Sequence, residues 1–443
     1  MRDYKEALRQ CIKCGACMSV CPVYQATRME TDVARGKLSV LQEAISGRLT
    51  AAGVSEVLSR CLLCGACADI CANNVQSDIL IQYGRQQDFF KRKPALPQRL
   101  LQSITSEELD RHSLIKGSTF LEKILCKHVP ASSGLHLRFP LSFFMQRTII
   151  PQIASTSFLE GCPPENKEAR GNIRVGFFIG CGTNYLFPDI GYAVLEILKE
   201  ASLSPFIPEQ QGCCGLMAYT SGDQKKAVAL AKHTIDLFSN QGLDYILTTC
   251  ASCGAQLKTF PELFNTETES RQAEQFSEKV IDATSFLIDV VGYERLAQST
   301  GRKPQGNKGM SRPLSQGGST MQKRSEDAPM RVVYHDPCHL RIKQKVMDAP
   351  RRFLRTIPGI ELTELPTPHQ CCGHGGTFNL SHFSLSMEIL DRKMSEIAQV
   401  KPDKIVTGCT GCLLQFQEGL QRINTGKAIE VLHPLVLWRQ QCL

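Results

Sequence analysis

The first features of this 443-residue chain are absences. No stretch approaches the ~20 consecutive apolar residues that cross a bilayer. The nearest, FPLSFFMQRTIIPQI at 139–153, is short and broken by Arg147, so it reads as a buried or interfacial segment. The opening MRDYKEALRQ lacks the apolar centre of a secretory leader. The expectation is a cytoplasmic protein, peripheral at the inner face of a membrane only through partners. No long run of one charge sign occurs, so the formal charge of +8 forms no patch for nucleic acid. No GxGxxG fingerprint follows a strand-like run, so a bound flavin or dinucleotide is expected in another subunit.

What is abundant is cysteine: 21 residues. A disulfide framework belongs to short secreted chains, which this is not. Zinc uses pairs of the form CxxC. Iron–sulfur clusters use longer runs of closely spaced cysteines. Each four-thiolate cubane carries about −2 when oxidised, so several would offset most of the positive charge.

Two repeats organise the cysteines. CIKCGACMSVC at 11–21 recurs as CLLCGACADIC at 61–71. A larger repeat places cysteines at 181, 213, 214, 250 and 253, then at 338, 371, 372, 409 and 412. In each large copy, apolar runs alternate with helical periodicity: 173–180, 187–202, 223–242 and 244–250, then 331–335, 384–400 and 404–409. Strands alternating with helices imply a parallel sheet with covered faces. In the N-terminal part, 32–47 and 52–60 have helical spacing. Residues 301–330 hold one Leu and no Ile, Val or Phe, and read as a flexible linker. The expected architecture is α/β: a helical ferredoxin-like dicluster domain at 1–90, a helical connecting segment at 91–170, and repeated parallel-sheet domains at 171–300 and 331–443.

The N-terminal spacing CxxCxxCxxxC is the bacterial ferredoxin pattern. Cys11, Cys14, Cys17 and Cys21 match it with Pro22 following; Cys61, Cys64, Cys67 and Cys71 match it with Ala72 in place of the proline. Three thiolates three residues apart let one loop wrap a cube, and the fourth cysteine of each run ligates the other cluster. The expected sets are Cys11, Cys14, Cys17 with Cys71, and Cys61, Cys64, Cys67 with Cys21. Zinc has no need of the third and fourth cysteines. Lys13, Arg35, Lys37 and Arg60 lie near in sequence, either raising the reduction potentials or serving as solvated surface charge.

In the large repeats, the first cysteine and the CxxC pair follow predicted strands. Parallel sheets bind ligands outside the carboxyl ends of their strands. A helix starting there aims N–H groups at the site. Gly215 and Gly373 give the adjacent-cysteine loops backbone freedom. Cys181, Cys213, Cys214, Cys250 and Cys253, and likewise Cys338, Cys371, Cys372, Cys409 and Cys412, suit an iron–sulfur cluster; zinc and a redox dithiol remain open. Cys126, Cys162 and Cys442 are left over as structural or incidental.

These motifs, with ARGKL at 34–38, GCGTN at 180–184 and YHDPCHL at 334–340, resemble the CCG-containing iron–sulfur subunits of flavin-linked oxidoreductases. The match in length and order is to the glycolate oxidase and lactate dehydrogenase iron–sulfur subunits, with related architecture in heterodisulfide reductase and anaerobic glycerol-3-phosphate dehydrogenase. The resemblance implies two [4Fe–4S] clusters in the N-terminal domain and one or two further clusters on the CCG cysteines. In heterodisulfide reductase those cysteines hold noncubane clusters. It also implies an electron-transfer subunit with no catalytic residue of its own. A partner FAD subunit would oxidise a 2-hydroxy acid, and a quinone, cytochrome or ferredoxin-like carrier would accept the electrons. The alternative is a subunit that cleaves a thiol disulfide at its CCG clusters. Both CxxC pairs are complete here, unlike many glycolate oxidase subunits, which favours two full CCG clusters. His335, His339, His369 and His374 flank the second CCG copy alone; they tune a cluster, move protons, or are ordinary loop histidines. Asp336 is expected to orient that loop.

Overall fold

Val175–Phe178 are buried one after another, which suits a strand covered on both faces. In the computed structural model, which describes residues 4–87, 153–163, 173–299, 328–423 and 428–443, they form β1. Together with β2 (Tyr245–Thr248) and β3 (Val280–Asp282), β1 makes a parallel sheet of order β1-β2-β3. The second parallel sheet contains β4 (Met330–Tyr334), β5 (Ile360–Thr363), β6 (Lys404–Val406) and β7 (Glu430–Leu432), in the order β5-β4-β6-β7. Strands β1, β2 and β3 correspond to β4, β6 and β7. The place of β5 is held in the first sheet by one parallel bridge, Gly176 to Phe206. The sequence marked β1, β2, β4 and β6. The short β3, β5 and β7 carry no comparable apolar run.

The N-terminal region is helical. Its main helices are α1 (Ala34–Ile45), α2 (Ala51–Ser59) and α3 (Ser77–Gln86), packed through Leu38, Leu41, Val54, Leu58, Leu80 and Ile81. Cutting the fully buried Leu41 to Ala would cost about 2–5 kcal/mol. The repeats add α4 (Pro188–Glu200), α5 (Gln224–Phe238) and α6 (Ala251–Lys258), then α7 (Phe383–Val400), α8 (Thr410–Arg422) and α9 (Pro434–Cys442).

The two repeats share their cores. One apolar cluster joins Phe178, Phe260 and Cys250 to Val333, Met394 and Phe416. Another joins Phe177 and Tyr293 to Tyr334 and Trp438, and Trp438 Nε1 donates to Tyr293 Oη at 2.7 Å. Arg85, buried on α3, fastens the N-terminal helices to the first repeat. Its guanidinium donates to Thr220 O at 2.8 Å and to Leu58 O and Cys61 O at 2.7 Å. Lys343 and Lys345 of the second repeat pair with Asp78 and Asp69.

Most of the connecting segment 91–170, most of the linker 301–330, and Cys126 lie outside the described residues. Within the former, Phe158–Gly161 is one helical turn capped by Ser157; at the end of the latter, Met330 already belongs to β4. Among the described residues no helix is long and apolar enough to cross a membrane.

Candidate metal centre

Each N-terminal cysteine run folds the same way. Lys13 and Leu63, each preceding the second cysteine of its run, have φ of 56° and 54°; Gly15 and Gly65 follow at 90° and 82°. Left-handed backbone at a non-glycine residue is costly, so its recurrence at equivalent places marks a loop shaped for a purpose. The loops curl inward and lead into the short helices Ala16–Val20 and Ala66–Asp69. One cavity of about 40 Å³ is lined by Cys11, Cys14, Cys17, Cys67 and Cys71. A second, of about 30 Å³, is lined by Cys21, Cys61, Cys64 and Cys67. Each cavity thus draws sulfurs from both runs, Cys71 joining the first run and Cys21 the second, with Cys67 shared between the two.

Cations surround both groups. Arg35 borders the first cavity, donates to Lys13 O at 3.2 Å, and pairs with Glu30 at 2.6 Å; Lys13 is exposed. Lys37 and Arg60 border the second and meet at Asp32, at 3.5 and 2.9 Å. Lys37 is only 1% exposed and is therefore not a solvated surface charge. Burial lowers its pKa, while Cys61, Asp32 and Cys21 oppose that effect. Burial pushes the Cys21 thiol up to about 11, with Cys61 adding to the rise.

In the repeats, strand ends and helix starts assemble the sulfurs. Cys250 and Cys409 are the N-cap residues of α6 and α8, and Cys253 and Cys412 sit in their first turns. Cys181 lies in the short helix Gly180–Tyr185 beyond β1. Gly180 has φ 71°, and a Cβ there would stand 3.0 Å from Cys253 Sγ, so only glycine allows this approach. Gln211 holds the first adjacent-cysteine loop against β1: its Oε1 accepts from Ile179 N at 2.7 Å and its Nε2 donates to Phe177 O at 3.2 Å.

The ten sulfurs form one unbroken run. Cys338 Sγ lies 4.0 Å from Cys371 Sγ, and Cys372 Sγ lies 3.4 Å from Cys412 Sγ. Cys371 adjoins Cys372, and Cys412 adjoins Cys409. Cys409 Sγ is 3.9 Å from Cys250 Sγ, its counterpart in the other repeat. Cys250 adjoins Cys253, then Cys214, Cys213 and Cys181. Ala251 N donates to Gly408 O at 2.9 Å, so the carboxyl edges of the two sheets face each other. At the other end, Cys338 and Cys64 feel each other's charge, and Cys67 feels Cys17. The spatial order is therefore N-terminal sets, second repeat, first repeat.

These donors fit iron–sulfur chemistry. Among the described residues every cysteine is a free thiol. Crowding drives neighbours apart. Cys253 and then Cys409 hold Cys250 well below the usual thiol value, whereas Cys213 pushes Cys181 well above it and Cys338 does the same to Cys371. Buried thiolates in such contact cannot all ionise without a cation among them.

Comparison with known proteins agrees. A cysteine-rich domain family of the CCG type matches residues 175–258 and 332–417, and a 4Fe-4S dicluster domain matches 7–75. Lactate utilization protein A of Geobacillus kaustophilus is 31% identical over 59% of this chain and 96% of its own length. The chain belongs to the CCG-containing iron–sulfur subunit family. This CCG protein is also 27% identical to the probable glycolate oxidase iron-sulfur subunit of Bacillus subtilis, over 96% of this chain and 92% of that one. It is 28% identical to the glycolate oxidase iron-sulfur subunit of Escherichia coli, over 91% and 88%. The matched domains indicate bound iron–sulfur clusters.

The four histidines of the second CCG copy separate in space. His335 is buried against Cys372 and Cys412. His339 reaches Ser252 Oγ at 3.1 Å, and burial lowers its pKa. His369 is exposed on a cavity of about 410 Å³ bordered by Cys64, Cys338, Cys371 and Arg341. His374 turns to the first site. It accepts from Asn379 Nδ2 at 2.9 Å and lines, with Cys181, Cys213, Cys214, Cys250 and Cys253, a cavity of about 360 Å³. Leu159, Ile179, Leu186, Leu216 and Leu414 make this cavity largely apolar. Asp336 does orient its loop: Arg351 clasps it at 2.7 and 2.8 Å. Cys162 and Cys442 are partly buried and stand apart from the sulfur groups.

Sequence reasoning missed Lys343, beside Cys64 and Cys67, and Ser252, whose Oγ is 3.3 Å from Cys409 Sγ. It also missed His433, which donates from Nε2 to Thr249 O at 2.9 Å and caps α9 through Nδ1. Only His433 left a signal, a His-Pro step at a helix start.

Proposed function

We propose that this chain is the electron-transfer subunit of a flavin-dependent 2-hydroxyacid dehydrogenase, working at the cytoplasmic side. A partner FAD subunit oxidises glycolate or lactate, and a quinone or similar carrier takes the electrons. Cys11, Cys14, Cys17 and Cys71 would hold one cubane, and Cys21, Cys61, Cys64 and Cys67 the second. Cys338, Cys371, Cys372, Cys409 and Cys412 would hold a third cluster, and Cys181, Cys213, Cys214, Cys250 and Cys253 a fourth. When bound, such clusters supply one-electron transfer between two-electron chemistry at either end. The observation that carries the reading is the continuous sulfur run, closed at the second repeat by the 3.9 Å approach of Cys250 and Cys409. The chain's own residues exclude water from that junction, where both sulfurs are buried. The domain names of the relatives support the reading.

The apolar cavity at the first repeat favours a carrier that can bury a hydrocarbon face, hence a quinone. The same cavity touches all five first-repeat cysteines, which is what a disulfide substrate cleaved at a cluster would also need. One experiment separates the two. The chain is purified anaerobically with its flavin partner, glycolate or lactate is added, and visible bleaching is followed. Bleaching by a hydroxy acid and recovery on adding a quinone are expected. If no hydroxy acid bleaches the protein and only a disulfide reoxidises it, the dehydrogenase reading fails.

A further inference from the structure

His335 ends β4 three residues before Cys338, and Phe178 holds the corresponding place three residues before Cys181. The first repeat therefore supplies five sulfurs and no imidazole from its own strand end, His374 reaching its cavity from the other repeat; the second adds the imidazole of His335 to its five sulfurs. His335 is 0% exposed. Its ring packs edge-on against Phe416, with centroids 4.9 Å apart. Among the described residues neither ring nitrogen meets a nitrogen or oxygen partner; its polar neighbours are the Cys372 and Cys412 sulfurs. Burying an imidazole whose only polar neighbours are thiol sulfurs costs about 1–3 kcal/mol of poorly replaced hydration, which a metal ion among those donors would offset. One ring nitrogen lies within 4.8 Å of both Cys372 Sγ and Cys412 Sγ, and all three residues are buried. The two sulfurs are themselves 3.4 Å apart. Two thiolates and one imidazole form a donor set that iron accepts readily.

We propose that His335 is a nitrogen ligand to iron in the cluster of the second repeat, beside Cys372 and Cys412. This rests on the reading that the second repeat holds an iron–sulfur cluster. The first repeat, with Phe178 in that place, has no counterpart of this ligand. A thiolate brings a negative charge to iron and a neutral imidazole brings none, so an iron that takes nitrogen in place of a thiolate belongs to a less negative cluster with a higher reduction potential. The second cluster is then the more easily reduced of the CCG pair.

The test uses the full chain with its clusters in place, grown with ¹⁵N-histidine, reduced in steps, and read by pulsed electron paramagnetic resonance. Iron and sulfide are measured on the same samples. The expected result is one strongly coupled histidine nitrogen in the wild-type protein. It is lost in His335→Phe, which copies the residue of the first repeat, and one midpoint potential shifts downward. His335→Asn serves as a second variant of smaller volume, with the same loss expected. If iron and sulfide show filled CCG sites but no strongly coupled nitrogen appears in the wild-type protein, the ligand assignment is overturned and the proposed function stands. Persistence of the coupling in His335→Phe overturns it as well. If the wild-type protein carries only the iron of the two N-terminal cubanes, the cluster reading of the repeats and the ligand assignment fall together.

Discussion

Strand for strand the two CCG repeats are copies, yet their sites differ in what surrounds the sulfurs. Where the first has Phe178 and Ile179 ahead of Cys181, the second has His335 and Asp336 ahead of Cys338. Helix α5 buries Ala227, Leu230, Ala231, Thr234, Ile235 and Phe238, whereas α7 also buries Lys393, which pairs with Glu396 at 3.0 Å. The first site opens on a largely apolar cavity; the second borders a more polar one that carries Arg341 and His369. A duplicated scaffold thus keeps its cysteines while their environment diverges. In the proposed path the second site is an interior relay and the first a terminus.

The sharpest way to break that contrast is to delete one sulfur from each copy. Cys412→Ala should cut turnover with the carrier by at least about 10–100-fold, while the N-terminal centres still bleach with the donor. Cys253→Ala should stop turnover equally but leave the second repeat reducible. Rapid-mixing absorbance with electron paramagnetic resonance distinguishes them. Equal blockage of the second repeat in both variants would reverse the proposed order.

Next in size is the Asp336–Arg351 ion pair, the first repeat having Ile179 in the place of Asp336. Asp336→Ala leaves Arg351, 15% exposed, with Glu364 alone. A loss of about 3 kcal/mol is expected in denaturant unfolding, at the low end for breaking a buried pair. An unchanged midpoint would mean that the pair does not hold the loop.

His433 of the second repeat reaches across to Thr249, beside the first-repeat Cys250. Burial lowers its pKa to about 4, against ~6.5 in an unfolded chain. Between these values the unfolded imidazole binds a proton that the folded one does not. Stability is then full above pH ~6.5 and falls as pH drops toward 4, by up to about 3 kcal/mol. Protonation also removes the Nδ1 acceptor that caps α9. Melting temperatures of wild-type protein and His433→Asn, compared from pH 7 to pH 4.5, should converge. Parallel curves would show that the histidine titrates normally.

The smallest effect is expected from filling the first cavity. Leu414→Trp should lower turnover with a quinone by a few fold, on the scale of a pocket contact worth about 1 kcal/mol, leaving iron content and donor bleaching as they were. A matching loss of donor bleaching would place the cavity on the wrong side of the path.

Much of each site was readable because its parts are near in sequence. The run CIKCGAC fixes one loop, and its copy CLLCGAC fixes the same loop again, down to the left-handed Lys13 and Leu63. The apolar runs before Cys181, Cys250, Cys338 and Cys409 announced strands that end at sulfurs. Lys343 could not be read, because its relation to Cys64 depends on how the second repeat docks on the helices of the N-terminal region. His374 flanks the second site as expected, its ring against Gly411 between Cys409 and Cys412, but it also borders the first site, which its sequence position does not show. It follows Cys372 by two residues, but the loop turns at Gly373, φ 90°, and carries its ring to the other repeat's cavity.

The sequence by itself determined which sulfurs belong together within each run and each repeat, and which strand ends carry them. Bond lengths and helix rise limit what residues three or four apart can do, so spacing alone encodes that geometry. Only the tertiary structure decided that the second repeat lies between the N-terminal sets and the first repeat. It also decided that Cys250 meets Cys409 across 159 residues of chain, and that His335 is shut in with two thiols. Such contacts follow from how two sheets and a helical cap pack their apolar faces, a collective outcome that no local spacing records.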